Sequence, residues 1–249
     1  MKTVLITGCS SGFGLETARH FLARGWRVVA TMRTPRDELF AASEHVRVLP
    51  LDVTDVHSVR EAVKGAGPID VLVNNAGFSV PAPFELTSPE TIRALFDTNT
   101  FGTFATMQAV LPQMRERKSG VIVNVTSSAT LRPLPLVGVY RAAKAAVNAL
   151  TESLAAEVEP FGVRVRLVLP GSSGETRFRD TARSHLCGLE DEVYGGFVRQ
   201  TIARMIASTG PGTHMRDVAE AVWAAATDPA MPMRIPAGAD AVQWATADR

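Results

Sequence analysis

Two hydrophobic patterns alternate along the chain. Short runs of consecutive apolar and β-branched residues predict buried parallel strands, at residues 4–6, 27–31, 46–49, 70–73, 121–125 and 163–169, with a short last strand near Arg234 and Ile235. Longer segments with an apolar residue every three or four positions predict helices, at residues 12–23, 56–64, 89–117, 139–159 and 215–227. The alternation predicts an α/β fold with a Rossmann-like doubly wound parallel sheet.

Residues 171–212 interrupt this alternation after the sixth predicted strand. The segment has Gly, Ser and Thr at both ends and bulky apolar residues between them. Doubly wound sheets bind ligands beyond the carboxyl ends of their strands, so we interpret the segment as an inserted helical lid over that crevice. An ordinary helical excursion packed on the core is the alternative. Since no compositional boundary divides the chain, residues 1–249 are predicted to form a single domain.

Composition and charge narrow the classes of function. Hydrophobic residues make up 46% of the chain, which is enough for a large core, and 26 Lys and Arg nearly balance 25 Asp and Glu. A nucleic-acid or anionic-membrane binder would carry a basic surface, so a small-molecule partner is predicted. Cys9 and Cys187 lack metal-ligand spacing, and neither a disulfide nor a metal site is predicted. The absence of a signal-peptide pattern or a long apolar run predicts a cytoplasmic protein.

A glycine-rich turn, TGCSSGFG at residues 7–14, stands between the first strand and the first helix. Glycines allow the backbone to approach a pyrophosphate, and the free amides and positive end of the helix favour that anion. This context predicts a dinucleotide site that includes Gly8, Ser10, Ser11, Gly12, Phe13 and Gly14.

The end of the second strand indicates which dinucleotide binds. An acidic residue about 20 positions beyond the glycines would hold a ribose hydroxyl of NAD(H), but the residues here are Thr31-Met32-Arg33-Thr34. Arg33 could pair with the 2′-phosphate of NADP(H), with an added hydroxyl contact from Ser10 or Ser11. The cofactor is therefore predicted to be NADP(H); a solvated loop arginine is the alternative for Arg33.

Tyr140 and Lys144 are four residues apart in a predicted helix, so they project from one face about one turn apart. A nearby ammonium favours phenolate, and Lys144 could lower the pKa of Tyr140 enough for proton transfer to or from a carbonyl or alcohol oxygen. By itself such a pair is more often part of a solvated helix face. Its meaning depends on the residues around it.

The order and spacing of these motifs resemble the short-chain dehydrogenase/reductase family, with its TGxxxGxG turn, over nearly the whole chain. The resemblance continues in Asn74-Asn75-Ala76-Gly77 and in Ser127, which lies 13 residues before Tyr140. It implies that Ser127 orients the substrate carbonyl and that Asn99 holds a water beside the lysine at a helix irregularity. Strand-end capping is the alternative for Ser127, and Ser128 is its polar neighbour.

The same resemblance extends the predicted cofactor site. It implies that Asp52 and Val53 lie beside the adenine and adds Asn75, Ala76, Gly77, Tyr140, Lys144, Pro170, Gly171 and Thr176 to the cofactor contacts. Thr176 falls one place late for the family's PGxxxT element. Either Thr176 reaches the nicotinamide carboxamide through a lengthened loop, or Ser172 or Ser173 replaces it. Arg141 and Ala143 also depart from the family pattern, and Arg141 is expected to point to solvent.

The predicted pocket walls, at residues 78–84, 131–139 and the lid, are apolar. The chain also resembles the subgroup of 17β-hydroxysteroid and retinol dehydrogenases and bacterial ketone reductases. We therefore predict NADPH-dependent reduction of a bulky apolar ketone or aldehyde, and the reverse oxidation. The alternatives are a non-catalytic NADP(H)-binding sensor or scaffold and an epimerase or dehydratase. Helices at 89–117 and 139–159 resemble the family's dimer bundle and imply a homodimer or homotetramer.

Overall fold

A computed structural model describes residues 1–176, 185–207 and 212–247. Seven strands in the described part of the chain form one parallel sheet in the order β3-β2-β1-β4-β5-β6-β7. Their bounds are β1 (Thr3–Ile6), β2 (Arg27–Met32), β3 (Val46–Pro50), β4 (Val71–Asn74), β5 (Gly120–Val125), β6 (Val163–Pro170) and β7 (Arg234–Ala237). The predicted doubly wound sheet is confirmed, and each predicted strand is present with ends shifted by at most two residues.

The α-helices described cover both faces of this sheet. They are α1 (Gly12–Leu22), α2 (Val56–Ala66), α3 (Pro89–Phe96), α4 (Gly102–Glu116), α5 (Gly138–Val158), α6 (Gly195–Ala207), α7 (Met215–Thr227) and α8 (Ala239–Ala247). Successive residues of β1 serve opposite faces: Val4 and Ile6 pack with α1 and α7, whereas Leu5 packs with α2, α4 and α5. Burial on both faces explains why the strands are apolar at consecutive positions.

Two helix predictions need correction. The segment 89–117 is not one helix, because a π-helical turn at Asp97–Phe101 separates α3 from α4. A π-helical turn is rare and only one turn long, so the sequence pattern alone does not reveal it. Helix α8 was not predicted, since nine residues are too few to establish a helical period.

The doubly wound order creates a crevice at the carboxyl edge of the sheet. From β1 the chain runs outward through β2 and β3, then returns to the other side of β1 as β4, so the loops after β1 and β4 diverge. This switch point is where such sheets bind ligands. The loops after β5 and β6 end on the same edge.

The insertion predicted as a lid is described at residues 171–176, 185–207 and 212; residues 177–184 and 208–211 lie outside the described part. Its middle packs on the segment after β4: the Cys187 amide donates to the Pro81 carbonyl at 3.3 Å, and the Tyr194 hydroxyl donates to Glu85 at 2.7 Å. The insertion therefore reaches the carboxyl edge of the sheet. No helix among the described residues combines the length and apolarity needed to cross a membrane.

Candidate active site

The turn between β1 and α1 brings its backbone into close contact with neighbouring chain. Gly8 has φ +75°, and a Cβ added there would lie 2.8 Å from the Cα of Ala76. A Cβ on Gly14 would overlap the Gly8 carbonyl oxygen. Ser11 precedes α1 without a side-chain capping bond, so its hydroxyl leaves the first-turn amides available. A tight turn with helix amides at its end has the shape and the donors that a pyrophosphate requires.

The segment after β4 fixes this turn. The Asn75 side-chain amide donates to the carbonyls of Thr7 at 2.9 Å and Gly8 at 3.2 Å. In return the Thr7 hydroxyl accepts from the backbone amides of Asn75 and Ala76, both at 3.0 Å. These bonds place Asn75, Ala76 and the glycine turn side by side at the switch point.

The predicted adenosine end lies at the carboxyl ends of β2 and β3. Arg33 is exposed, and its charge helps to hold the pKa of Asp52 below its ordinary value, although the backbone amide of Thr54 contributes most to that shift. Val53 is buried against the backbone of Gly102, so it also has a packing role. Arg36 was not among the predicted cofactor residues, yet its guanidinium donates to the Ser10 carbonyl. A loop arginine three positions beyond Arg33 belongs to no motif that could have identified it.

Tyr140, Lys144 and Ser127 meet between β5 and α5. Tyr140 and Lys144 lie in the first two turns of α5 and are 8% and 4% exposed. Tyr140 shares a hydrogen bond with Ser127, and the Lys144 ammonium donates to the Val125 carbonyl at 3.2 Å. The Ser127 hydroxyl also accepts from the Ala129 amide at 3.1 Å. Ser127 therefore caps a 3₁₀ turn, which was the alternative interpretation, and contacts Tyr140 as well.

Burial sets the proton affinities of this pair. It raises the pKa of Tyr140 to about 12, against an ordinary 10.0, while the bond with Ser127 opposes that shift. Burial lowers the pKa of Lys144 from 10.5 to about 8. The prediction that the pKa of Tyr140 is lowered is wrong for this chain, because burial disfavours the phenolate and dominates the shift. At neutral pH Tyr140 is therefore a phenol that can donate a proton.

Asn99 lies in the π-helical turn and is fully buried. Its side-chain amide donates to the carbonyls of Leu95 and Phe78, both at 2.9 Å, and its oxygen accepts from the Phe78 amide at 3.2 Å. A Cβ placed on Gly77 would lie 2.5 Å from the Asn99 oxygen and 3.2 Å from the Lys144 nitrogen. Asn99 and Lys144 thus approach one glycine together, at the predicted helix irregularity. The proton-relay role of Asn99 stays a prediction.

The loop after β6 returns to the glycine turn. Pro170 ends the strand, and Thr176 is buried with its Cβ 3.3 Å from the position of a Cβ on Gly12. Among the three candidates for the nicotinamide contact, Thr176 has its side chain beside this turn. Ser172 is exposed, and the buried Ser173 hydroxyl accepts from the Glu175 amide at 3.3 Å.

Comparison with known proteins places the chain in a family. A family profile described as short chain dehydrogenase matches residues 2–186. The chain belongs to the short-chain dehydrogenase family. A 3-ketodihydrosphingosine reductase from Bacteroides thetaiotaomicron is 39% identical over 203 residues, which are 80% of this chain and 74% of that protein.

Solved structures agree with this assignment. A short-chain dehydrogenase from Streptomyces avermitilis is 34% identical, has a TM-score of 0.84 and covers 99% of this chain and 91% of its own. A short chain dehydrogenase from Burkholderia cenocepacia in complex with NADP is 29% identical, with a TM-score of 0.77 and coverages of 99% and 94%. Similar structures include complexes with NADP and with NADH. The protein is thus a short-chain dehydrogenase, an oxidoreductase, and the preference between these cofactors needs a separate argument.

The predicted pocket walls of this short-chain dehydrogenase contact one another. The Ala82 amide donates to the Leu136 carbonyl at 2.8 Å, which joins segments 78–84 and 131–139. The backbone amide of Cys187, in the insertion, donates a hydrogen bond to the Pro81 carbonyl. Arg141, expected to point to solvent, instead donates to the Ala129 carbonyl at 3.1 Å. This bond ties α5 to the turn that carries Ser127, a role that its position between the tyrosine and lysine does not reveal.

Proposed function

We propose that this short-chain dehydrogenase reduces bulky apolar ketones or aldehydes to alcohols with NADPH, and catalyses the reverse oxidation. The observation that carries the proposal is the buried Tyr140 phenol, hydrogen-bonded to Ser127 and one helical turn from Lys144. A protonated phenol beside a second hydroxyl can hold a carbonyl oxygen and protonate it. A binding module would not need this arrangement.

The chain's own residues account for the proton-transfer half of the reaction. When bound, the nicotinamide would supply the hydride for the carbonyl carbon. The hydroxyls of Ser127 and Tyr140 hydrogen-bond the carbonyl oxygen, and Tyr140 gives it a proton as negative charge develops there. Lys144 carries a positive charge below about pH 8 and stabilises the phenolate that remains. Asn99, next to Lys144 at Gly77, is in place to extend the proton path.

The residues around the glycine turn fit a dinucleotide, and the charges at the end of β2 favour its phosphorylated form. Arg33 is exposed there, and Arg36 reaches the backbone of Ser10. No carboxylate occupies the four positions from Thr31 to Thr34 where one would repel a 2′-phosphate. A guanidinium binds a phosphate through charge-assisted hydrogen bonds. These residues support NADP(H) over NAD(H).

The proposed substrate class rests on the apolar walls and on relatives. Val80, Ala82 and Leu136 are buried in the two wall segments that contact each other. The insertion covers the same edge and would serve as a lid on the bound substrate. The relative named 3-ketodihydrosphingosine reductase is, by that name, a reductase of a keto compound. A large carbonyl compound with few polar groups fits these features.

We also propose that the enzyme is a homodimer or homotetramer that associates through α3, α4 and α5. Phe101 is 55% exposed at the start of α4, and its ring packs against the rings of Phe96 and Phe104. A second copy of the chain would bury this aromatic group. Sedimentation at several protein concentrations tests the association.

A panel of carbonyl compounds tests the proposed activity. Steroid, aryl and aliphatic ketones and aldehydes are each mixed with the enzyme and NADPH, and the loss of NADPH absorbance is followed. We expect turnover to increase with the apolar size of the ketone. Binding of NADPH with no turnover of any compound would contradict the proposal and favour the sensor or scaffold. Preference for small hydrophilic aldehydes would contradict the substrate class alone.

A further inference from the structure

One buried carboxylate joins both ends of the insertion. Asp240, at the start of α8, is 7% exposed. One of its oxygens accepts from the backbone amide of Ser172 at 2.7 Å, and the other accepts from the Thr213 hydroxyl at 2.6 Å. The Thr213 amide in turn donates to the Ser172 carbonyl at 3.0 Å. Ser172, near the start of the insertion, and Thr213, directly after its end, are thereby held at a fixed separation.

Two glycines make room for this carboxylate and hydroxyl. A Cβ on Gly171 would overlap the carboxylate of Asp240. Gly238 has φ +97°, and a Cβ there would overlap the Thr213 hydroxyl. The close approach therefore depends on glycine at both places. The family resemblance implies a cofactor contact for Gly171, whereas no sequence motif includes Asp240.

The bond to Ser172 fixes the loop that leads to the glycine turn. Four residues beyond Ser172, the Thr176 side chain packs against Gly12. Between them, Glu175 accepts from the Met215 amide at 2.8 Å and lies 2.7 Å from the His214 ring. The loop is thus held at Ser172 and at Glu175 by residues that follow the insertion. Of these two attachments, the one at Ser172 is made by the buried carboxylate of Asp240.

Helix α8 also contacts a wall of the proposed substrate site. The guanidinium of Arg132 stacks on the Trp244 ring, 3.6 Å from its centroid. Arg132 belongs to the wall segment 131–139. The helix that carries Asp240 therefore contacts the loop after β6 through one residue and the substrate wall through another.

We propose that Asp240 is a positioning residue for the cofactor site, which sets the loop from Gly171 to Thr176 over the glycine turn. This inference rests on the proposed NADP(H) site. Asp240 acts through the Ser172 amide and the Thr213 hydroxyl and does not itself contact the reacting atoms. Losing the carboxylate frees the loop to move, and the dinucleotide then binds to a chain that must first be ordered.

Substitutions of Asp240 can separate loop position from charge. Asp240→Ala removes both acceptors. In Asp240→Asn the remaining oxygen can accept from the Ser172 amide while the new NH₂ donates to the Thr213 oxygen. The Thr213 hydroxyl proton is then free to turn to the Ala237 carbonyl, which lies 3.1 Å away. Asparagine therefore retains the geometry without the charge. Gln243→Ala, an exposed change on the same helix, is the matched control.

The experiment measures hydrogen exchange in the peptide 171–176, NADPH binding by fluorescence titration, and KM for NADPH against kcat, well below each variant's unfolding midpoint. In Asp240→Ala we expect faster exchange and about tenfold increases in Kd and KM for NADPH, because a misplaced contact loop weakens binding. Asp240→Asn is expected to stay within about threefold of the wild type. Gln243→Ala should match the wild type throughout.

Three outcomes would overturn the proposal. They are unchanged exchange and NADPH binding in Asp240→Ala, a lower unfolding midpoint as its sole change, or Asp240→Asn as impaired as Asp240→Ala. The exchange and binding measurements need no carbonyl substrate. A wild-type protein that binds NADPH but reduces no carbonyl would therefore refute the proposed reaction while the role of Asp240 could still be measured.

Discussion

The proposed catalytic centre and the predicted adenosine end of the crevice are built by opposite means. Tyr140 and Lys144 are buried and held by side-chain and backbone hydrogen bonds. Burial raises the pKa of Tyr140 to about 12 and lowers the pKa of Lys144 to about 8. Arg33 is exposed at the end of β2, and Asp52 is half-buried. At the centre the protein environment changes what the side chains can do. At the adenosine end, the charge of an exposed side chain is itself the proposed recognition element.

This difference predicts how each region responds to substitution. Changes at the buried centre should alter both chemistry and stability, because desolvation, hydrogen bonding and packing act on the same atoms. Changes at the adenosine end should alter the preference between NADPH and NADH with little cost in stability, since solvent screens exposed charges.

Tyr140→Phe removes the proposed proton donor and should lower kcat by about 10³-fold, within the range of general acid catalysis. NADPH affinity should change little, because the ring that fills the site remains. Steady-state kinetics and a fluorescence titration give the two values. Tyr194→Phe removes the other tyrosine hydroxyl, which binds Glu85, and should keep kcat within about threefold of the wild type. Normal turnover by Tyr140→Phe would show that another group supplies the proton.

Lys144→Met should abolish most activity and yet stabilise the fold at neutral pH. The pKa of Lys144 is about 8 in the folded chain against an ordinary 10.5, so charge in the folded state costs about 3 kcal/mol below pH 8. The lost bond to the Val125 carbonyl offsets about 1 kcal/mol of the gain. We expect a net increase of about 2 kcal/mol in the free energy of unfolding.

The sign of the pH dependence checks the cause of that stabilisation. Between about pH 8 and pH 10.5 the unfolded wild type binds more protons than the folded form, so its stability rises relative to Lys144→Met. The advantage of the variant should therefore shrink across this window. Urea unfolding of both proteins near neutral pH and about pH 10 measures it. An advantage that stays constant with pH would mean that packing, and not the buried charge, explains the difference.

Gly14→Ala tests whether close approach in the glycine turn is required. Its Cβ would overlap the Gly8 carbonyl and lie 2.5 Å from the Asn75 amide nitrogen, and we expect a cost of about 2 kcal/mol in stability and about tenfold weaker NADPH binding. Gly65→Ala in α2 is the matched control. Its Cβ lies 3.5 Å from Leu49, so it should stabilise the fold by about 0.5 kcal/mol. Thermal unfolding and NADPH titration of both variants measure these effects. If Gly14→Ala stabilised the fold as Gly65→Ala does, crowding at Gly14 would be unimportant.

Features that depend on neighbouring residues could be predicted from the sequence, whereas contacts between residues far apart in the sequence could not. Strands were predictable because burial on both faces makes them apolar at every position, and the glycine turn because its strand and helix flank it directly. Arg36 and Asp240 were missed, since each acts through the backbone of a residue far away in the sequence. The pKa of Tyr140 was predicted in the wrong direction because a sequence shows the neighbouring lysine but not the depth of burial.

Arg33→Asp tests the predicted adenosine end of the crevice. It exchanges attraction for repulsion at the 2′-phosphate, and we expect the ratio of kcat/KM with NADPH to kcat/KM with NADH to fall about tenfold, a modest change because solvent screens both charges. The unfolding midpoint should stay the same. Arg27→Asp, an equally exposed change at the opposite end of β2, should leave the ratio unaltered. An unchanged ratio in Arg33→Asp would contradict the assignment of Arg33. Loss of stability there would contradict the contrast between the two regions.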